Sequence, residues 1–325
     1  MNIPTLADIE DAARQIAGVA VRTPLLESPV INARLGGRLL IKAEPMQRTG
    51  SFKFRGAYNR ISRLDDAQKK RGVVTYSSGN HAQGVAAAAQ MLGIPAVILM
   101  PADAPAIKVR NTKAYGAEVI HFDRYTENRE AKGQAVCRER GAVLVPPYED
   151  PYIIAGQGTV GLEIVAQAAE AKADMDAVLV NCGGGGLIAG TSTAIKGKLP
   201  KVPIYAVEPQ GFDDTTRSLK SGKRESNDPA ARSICDALLA PEPGELTFSI
   251  NHRTLAGGIA VSDDEARQAM AVAFNDLKLV VEPGGAVSLA AVLSGKFPIK
   301  GKTVAIVCSG GNVDTELFIA ALGAA

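Results

Sequence analysis

Short apolar runs recur along the chain: RLLIKAE at 38–44, VVTY at 73–76, AVILM at 96–100, EVIHF at 118–122, AVLV at 142–145, AVLVN at 177–181, PIYAVE at 203–208 and TVAIVC at 303–308. Their near-continuous apolar character predicts parallel strands buried on both faces. Between them lie segments of helical character at 81–92, 126–140, 152–170 and 263–277. The last has a clear start, because Ser262 and Glu265 form an S-x-x-E capping box ahead of ARQAMAVAF. Strand and helix in alternation predict an α/β architecture. Residues 210–245 are polar and rich in Gly, Pro, Ser and Asp, which predicts surface loop and short helix. No internal repeat and no clean linker interrupts the pattern. Residues 71–149 carry their own βαβαβ rhythm, so the expected organisation is a large domain from 1–70 and 150–325 with a small, mobile domain from 71–149 inserted in it.

Composition narrows the partners. The 325 residues are 46% hydrophobic, enough for one large or two medium cores. Lys and Arg total 36 against 34 Asp and Glu, so no global field favours nucleic acid or a membrane surface, and a small molecule is the expected partner. The start, MNIPTLADIEDAAR, has acids by residue 8 and no apolar core of a secretory signal, and the expected location is the cytoplasm. Cys137, Cys182, Cys235 and Cys308 show no C-x-x-C pair and no His at ligand spacing, which predicts reduced thiols and no zinc site. The apolar stretch 84–100 is broken by Gln90, Gly93 and Pro95, so no membrane span is expected.

Candidate chemistry begins at SFKFRGA, 51–57, where Lys53 stands between Phe52 and Phe54. A desolvated lysine loses its proton readily, and a neutral amine can attack a carbonyl to form a Schiff base. A solvated lysine at the start of a helix running to about Arg63 is the alternative reading of that heptapeptide. Four loops follow predicted strands, where open parallel sheets bind ligands. SSGNHAQG, 77–84, offers hydroxyls, an amide and backbone N–H groups for a carboxylate, or is an ordinary capped helix start. GGGGL, 183–187, lets the backbone close around a phosphate at a helix N-terminus. Gly184, Gly186 and Ala189 also satisfy G-x-G-x-x-A, with Glu208 ending a strand downstream, so this loop alone equally suits a dinucleotide such as NAD. EPQGFDD, 208–214, is a solvated acidic loop or a seat for a hard cation. CSGGN, 308–312, presents Ser309, a neutral hydroxyl able to face a ring nitrogen, or is a tight turn.

SFKFRGA, SSGNHAQG, GGGGL, VEPGGA (281–286) and SGGN, in this order, resemble the fold type II pyridoxal phosphate enzymes of the serine/threonine dehydratase and serine racemase group. RTPL (22–25) and IAGQGT (154–159) extend the resemblance over essentially the whole chain. It implies an α/β fold of two open, twisted parallel-sheet domains with flanking helices, like that of the tryptophan synthase β-subunit, and it displaces the NAD reading. The chain ends soon after SGGN, so the regulatory C-terminal domain of some biosynthetic threonine dehydratases is not expected.

By this resemblance Lys53 is the lysine that holds pyridoxal 5'-phosphate, with Phe52 beside it and Asn80 at the cofactor's 3-hydroxyl. Gly183, Gly184, Gly185, Gly186 and Leu187 form the phosphate cup, and Ser309 faces the pyridine nitrogen. Ser77, Asn80 and the amide of His81 hold the substrate carboxylate. The implied reaction is loss of water from a serine- or threonine-type amino acid, giving a 2-keto acid and ammonia. Ser78 stands where serine racemases carry a proton-transferring serine on the face opposite the lysine, and many dehydratases carry alanine, so racemisation is an implied second activity. Glu208, the carbonyl of Phe212 and Asp214 match the racemase group's site for a divalent cation such as Mg2+, Mn2+ or Ca2+. Arg129 falls where racemase relatives place an arginine near the substrate's far end and could pair with a second carboxylate, which makes L-threo-3-hydroxyaspartate, yielding oxaloacetate, the alternative substrate. Within TENREAK, Arg129 is equally a solvated helix residue. Tyr148 departs from the racemase asparagine towards the aromatic of threonine dehydratases. A homodimer is expected, with no nucleic-acid or membrane partner.

Overall fold

The computed structural model describes residues 2–77, 79–104, 106–123 and 126–323, leaving the side chains of 106 and 107 aside. Ser78 therefore lies outside the described residues. The strands are β1 (Leu25–Leu26), β2 (Arg38–Ala43), β3 (Val73–Tyr76), β4 (Ala96–Pro101), β5 (Glu118–Phe122), β6 (Val143–Leu144), β7 (Ala177–Asn181), β8 (Ile204–Pro209), β9 (Gly257–Val261) and β10 (Thr303–Cys308). They form a six-stranded sheet in the order β1-β2-β10-β7-β8-β9 and a four-stranded sheet in the order β5-β4-β3-β6. Every pairing is parallel except the short β1 against β2. The architecture is the expected α/β arrangement of two parallel sheets with flanking helices.

Alternation along the strands divides the core. Leu39 and Ile41 of β2 join the helices Asp263–Leu277 and Pro283–Leu293 on one face of the large sheet. Leu40 joins Val178, Val180, Ala305 and Val307 on the other, under the helices Pro151–Glu170 and Gly186–Lys198. Each such fully buried aliphatic side chain contributes about 1.5–3 kcal/mol. The helix Lys53–Ser62 packs elsewhere, since Phe54, Ala57 and Ile61 share a core with Val73, Ile98 and the alanines of the helix Asn80–Met91. Its other side meets the helix Pro151–Glu170 so closely that a Cβ at Gly156 would stand 2.6 Å from the Gly56 Cα. That contact fixes the depth at which Lys53 enters the molecule.

Three strands differ from expectation, the two-residue β1 (Leu25–Leu26) being one that no apolar run announced. β6 keeps only two paired residues because Pro146 follows Val145 and has no N–H to continue a ladder. β9 went unpredicted because two of its five residues, Gly257 and Gly258, carry no apolar signal. The capping box at Ser262 and Glu265 is present, with both reciprocal hydrogen bonds made. Among the described residues no helix is long and apolar enough to cross a membrane. All four cysteines are free thiols.

Candidate active site

The carboxyl ends of β3, β7 and β10 open onto one cavity of about 190 Å³ between the two sheets. Its walls include Phe52, Lys53, Ser77, Asn80, His81, Arg129, Tyr148, Gly183 to Leu187 and Ser309, so residues scattered over more than two hundred positions meet in one place. Three of the four strand-end loops take part. The fourth, after β8, does not line this cavity.

Lys53 opens the helix Lys53–Ser62 and points its amine at the Pro147 carbonyl, 2.8 Å away. Burial pulls its pKa down to about 8, against the pull of Glu282 in the other direction. The Phe52 ring centroid lies 5.2 Å from Nζ. His81 is held neutral, with its pKa pushed down to about 3 by burial and then by Lys53. A carbonyl oxygen only accepts, so the His81 contact to Val145 O at 3.0 Å places the ring proton on Nε2 and leaves Nδ1 without a partner.

Asn80 is oriented from both ends. Its Nδ2 donates to Glu282 Oε1 at 2.6 Å, and its Oδ1 accepts from Asn312 Nδ2 at 2.7 Å. One N–H of that amide remains free for a ligand. Glu282 is buried, and burial followed by Asp236 raises its pKa to about 8. Lys108, on the helix Ala106–Ala114, reaches across the cavity to Asp236 at 2.5 Å and ties the two walls together.

The glycine loop leads into the helix Gly186–Lys198, which begins with no side-chain cap and so leaves its first N–H groups to a ligand. Gly185 has φ of 88° and no room for a side chain, since a Cβ there would lie 2.8 Å from Asn251 and 2.9 Å from Thr247. These features fit a phosphate, and the buried amine beside them fits a carbonyl group. Arg129 is exposed at the rim, with its guanidinium 5.7 Å from the Tyr76 ring centroid and no ion pair to any described residue. Burial raises the pKa of Tyr148, whose ring covers Gly184 and whose Cβ and backbone lie against Gly186.

Glu208 and Asp214 come together away from the cavity. Glu208 accepts the backbone N–H groups of Thr215 and Thr216 at 2.9 and 2.8 Å, capping the helix Asp214–Ser221. Asp214 Oδ1 accepts from Asn227 at 2.6 Å, while Oδ2 is buried with no partner among the described residues. Burial and then Asp214 raise the Glu208 pKa to about 8, and burial raises that of Asp214 to about 6. Phe212 is buried in the same loop. Among the described residues no group of three or more His, Cys, Asp or Glu side chains comes together as a metal centre. An orphaned carboxylate oxygen with oxygen neighbours nonetheless suits a hard cation.

Sequence reading missed several residues that the cavity contains. Glu282 had a signal, as a single charge inside the apolar stretch LVVEPGGA. Asn181 had one too, as a polar end to β7 just before the glycines. Lys108 and Asp236 had none, because only the fold joins them.

A lysine in an apolar pocket, a glycine cup at a helix start and a hydroxyl at a strand end define a cofactor-dependent α/β enzyme site. The chain belongs to the pyridoxal-phosphate dependent enzyme family, whose pattern matches residues 16–310. It is 42% identical over 322 residues to an L-threo-3-hydroxyaspartate ammonia-lyase from Pseudomonas sp, covering 99% of each chain. It is 40% identical to a serine racemase from Schizosaccharomyces pombe, covering 97% of this chain and 96% of that one. Among solved structures, a threonine deaminase from T.th. superposes with a TM-score of 0.90 at 44% identity, covering 96% of this chain and 99% of that one.

Proposed function

We propose that this protein eliminates water from β-hydroxy-α-amino acids, giving an imine that a second water hydrolyses to a 2-keto acid and ammonia. The observation that carries this reading is the Lys53 amine, its pKa lowered to about 8, facing one cavity with the glycine cup, Asn80 and Ser309. Bound pyridoxal phosphate supplies the electron sink that makes the substrate Cα–H acidic. Lys53 would hold the cofactor through its amine and, when that amine is free, would take the substrate Cα proton, for which an amine with a pKa near operating pH is suited. Gly183 to Leu187 hold the phosphate, and Asn80 and Phe52 position the ring. Ser77, Asn80 and the backbone amide of His81 hold the substrate carboxylate at the start of the helix Asn80–Met91, where free N–H groups favour an anion. A neutral Ser309 would not keep a ring nitrogen protonated as a carboxylate would, which would favour prompt elimination over transamination. Ser78 is assigned the proton on the opposite face and thereby a secondary racemisation.

Closure of the small domain, 71–149, over the substrate belongs to the same reading and is supported by the placement of Ser77, Asn80 and Arg129 on segments next to the four-stranded sheet. So does a divalent cation at Glu208, the Phe212 carbonyl and Asp214, supported by the orphaned Asp214 Oδ2. The homodimer rests on the family resemblance.

One observation favours a narrower substrate. Arg129 brings to the cavity rim a cation with no ion pair among the described residues, where a second carboxylate would satisfy it, so L-threo-3-hydroxyaspartate is the second reading. Keto-acid release from L-threonine, L-serine and L-threo-3-hydroxyaspartate decides between them. Preference for the dicarboxylate makes Arg129 a substrate ligand, and preference for threonine or serine leaves it a surface residue.

A further inference from the structure

Asn181 ends β7 with its side chain buried against the cavity. Its Nδ2 lies 2.7 Å from the Gly284 carbonyl, 2.9 Å from the Gly285 carbonyl and 3.2 Å from Ser309 Oγ. Its Oδ1 accepts the hydroxyl of Ser288. The direction of the amide is therefore determined, because the reverse placement would set Oδ1 against two carbonyl oxygens that can only accept. The two hydrogens of that amide are shared among three oxygens, the Gly284 and Gly285 carbonyls being nearer than Ser309 Oγ, and an amide nitrogen does not accept, so the Ser309 hydroxyl cannot donate in that direction. No described residue accepts from Ser309 Oγ, and that residue is itself 4% exposed on the cavity wall. A buried hydroxyl without an acceptor is unfavourable, so its hydrogen turns into the cavity.

We propose that Asn181 is a positioning residue that makes Ser309 a hydrogen-bond donor to the ring nitrogen of the bound cofactor and thereby keeps that nitrogen unprotonated. A protonated ring nitrogen would need Ser309 as acceptor, which would leave the serine hydrogen with no partner. The idea rests on the reading that Ser309 faces the cofactor ring. It goes beyond that reading by assigning the protonation state to a second side chain that touches no reacting atom.

The test is the ¹⁵N NMR shift of the ring nitrogen in holoenzyme loaded with ring-¹⁵N pyridoxal phosphate, for the parent and for Asn181→Leu, Asn181→Ala and Ser309→Ala. Cofactor absorbance verifies loading, and either folded Asn181 variant suffices. The parent should show the unprotonated signal, and the Asn181 variants should move towards the protonated position, because the Gly284 and Gly285 carbonyls released by the amide can then take the Ser309 hydrogen and leave its oxygen to accept. A protonated parent, or Asn181 variants with the parent's signal while Ser309→Ala shifts, overturns the role of Asn181 alone. An unchanged signal in Ser309→Ala overturns the placement of Ser309 at the ring, and the proposal with it.

Discussion

Arg55 and Asp214 are both sealed from solvent, yet they sit in opposite kinds of charge cluster. Arg55 grips Glu44 with two hydrogen bonds of 2.8 Å and reaches Glu163 at 2.6 Å. Lys42 brings a second cation to Glu163 at 2.6 Å. Two cations meet two anions and the charge closes on itself. Burial is the largest influence on Glu44 and pushes it towards protonation, but Arg55, Lys42 and Thr23 together outweigh it and hold its pKa below the usual value. Glu208 and Asp214 form no ion pair with any described residue, Arg217 pairs with Asp213 and offsets Asp214 only in part, and burial raises both acids. A network that satisfies itself anchors the fold, here directly behind Lys53. A charge left unsatisfied marks a place for something the chain does not provide.

The largest effect that could break this contrast is on stability. Arg55→Met strands Glu44 in the core and should cost about 3–5 kcal/mol in urea unfolding. Glu208→Gln, which removes an unpaired acid, should cost far less when no divalent ion is present. Equal losses would erase the distinction.

Next in size is the response to metal. If a divalent cation occupies the acidic loop, Mg2+, Mn2+ or Ca2+ at a hundredfold excess over Kd should stabilise the parent by about 2.7 kcal/mol. Thermal melts of Asp214→Asn should lose that gain while Arg55→Met keeps it. A parent whose melting temperature ignores all three ions returns the loop to an ordinary helix cap.

Arg129 extends the comparison to the cavity rim. Losing a charge-assisted contact of about 1.5–3 kcal/mol should lower kcat/KM for L-threo-3-hydroxyaspartate by about 10- to 150-fold in Arg129→Met and leave L-threonine little changed. Parallel losses on both substrates would deny Arg129 a role in recognising the second carboxylate.

The last effect appears as a slope and not as a single difference. Burial, and then Asp236, raise the Glu282 pKa from 4.5 to about 8. Between those values the folded carboxyl keeps a proton that the unfolded chain has released, so its contribution to stability falls as pH rises, by at most about 1.4 kcal/mol per pH unit. The stability of Glu282→Gln relative to the parent should therefore climb from pH 4.5 to pH 8. A flat difference would mean that Glu282 stays ionised throughout.

Much of this was legible where the signal was local. The capping box at Ser262 and the apolar runs of β2, β3, β4, β7 and β10 read directly into elements, and the order of the motif loops pointed to the family. SFKFRGA showed that Lys53 stood in apolar company. It gave no sign that Arg55, two residues on, would be locked between Glu44 and Glu163, because that pairing closes over 108 positions. The bond from Asn80 to Glu282 spans 202 positions and was equally hidden, although each residue lay inside a noted motif. Gly257 and Gly258 concealed β9 because backbone pairing, and not side-chain character, makes that strand.

The most direct test of the central claim is keto-acid release by the holoenzyme and by Lys53→Ala, with L-threonine, L-serine and L-threo-3-hydroxyaspartate supplied side by side in the presence of magnesium. The parent should turn over at least one of the three and Lys53→Ala none, with circular dichroism showing an intact fold. Turnover retained by the variant, or a fully loaded parent inactive on all three substrates, would contradict the account.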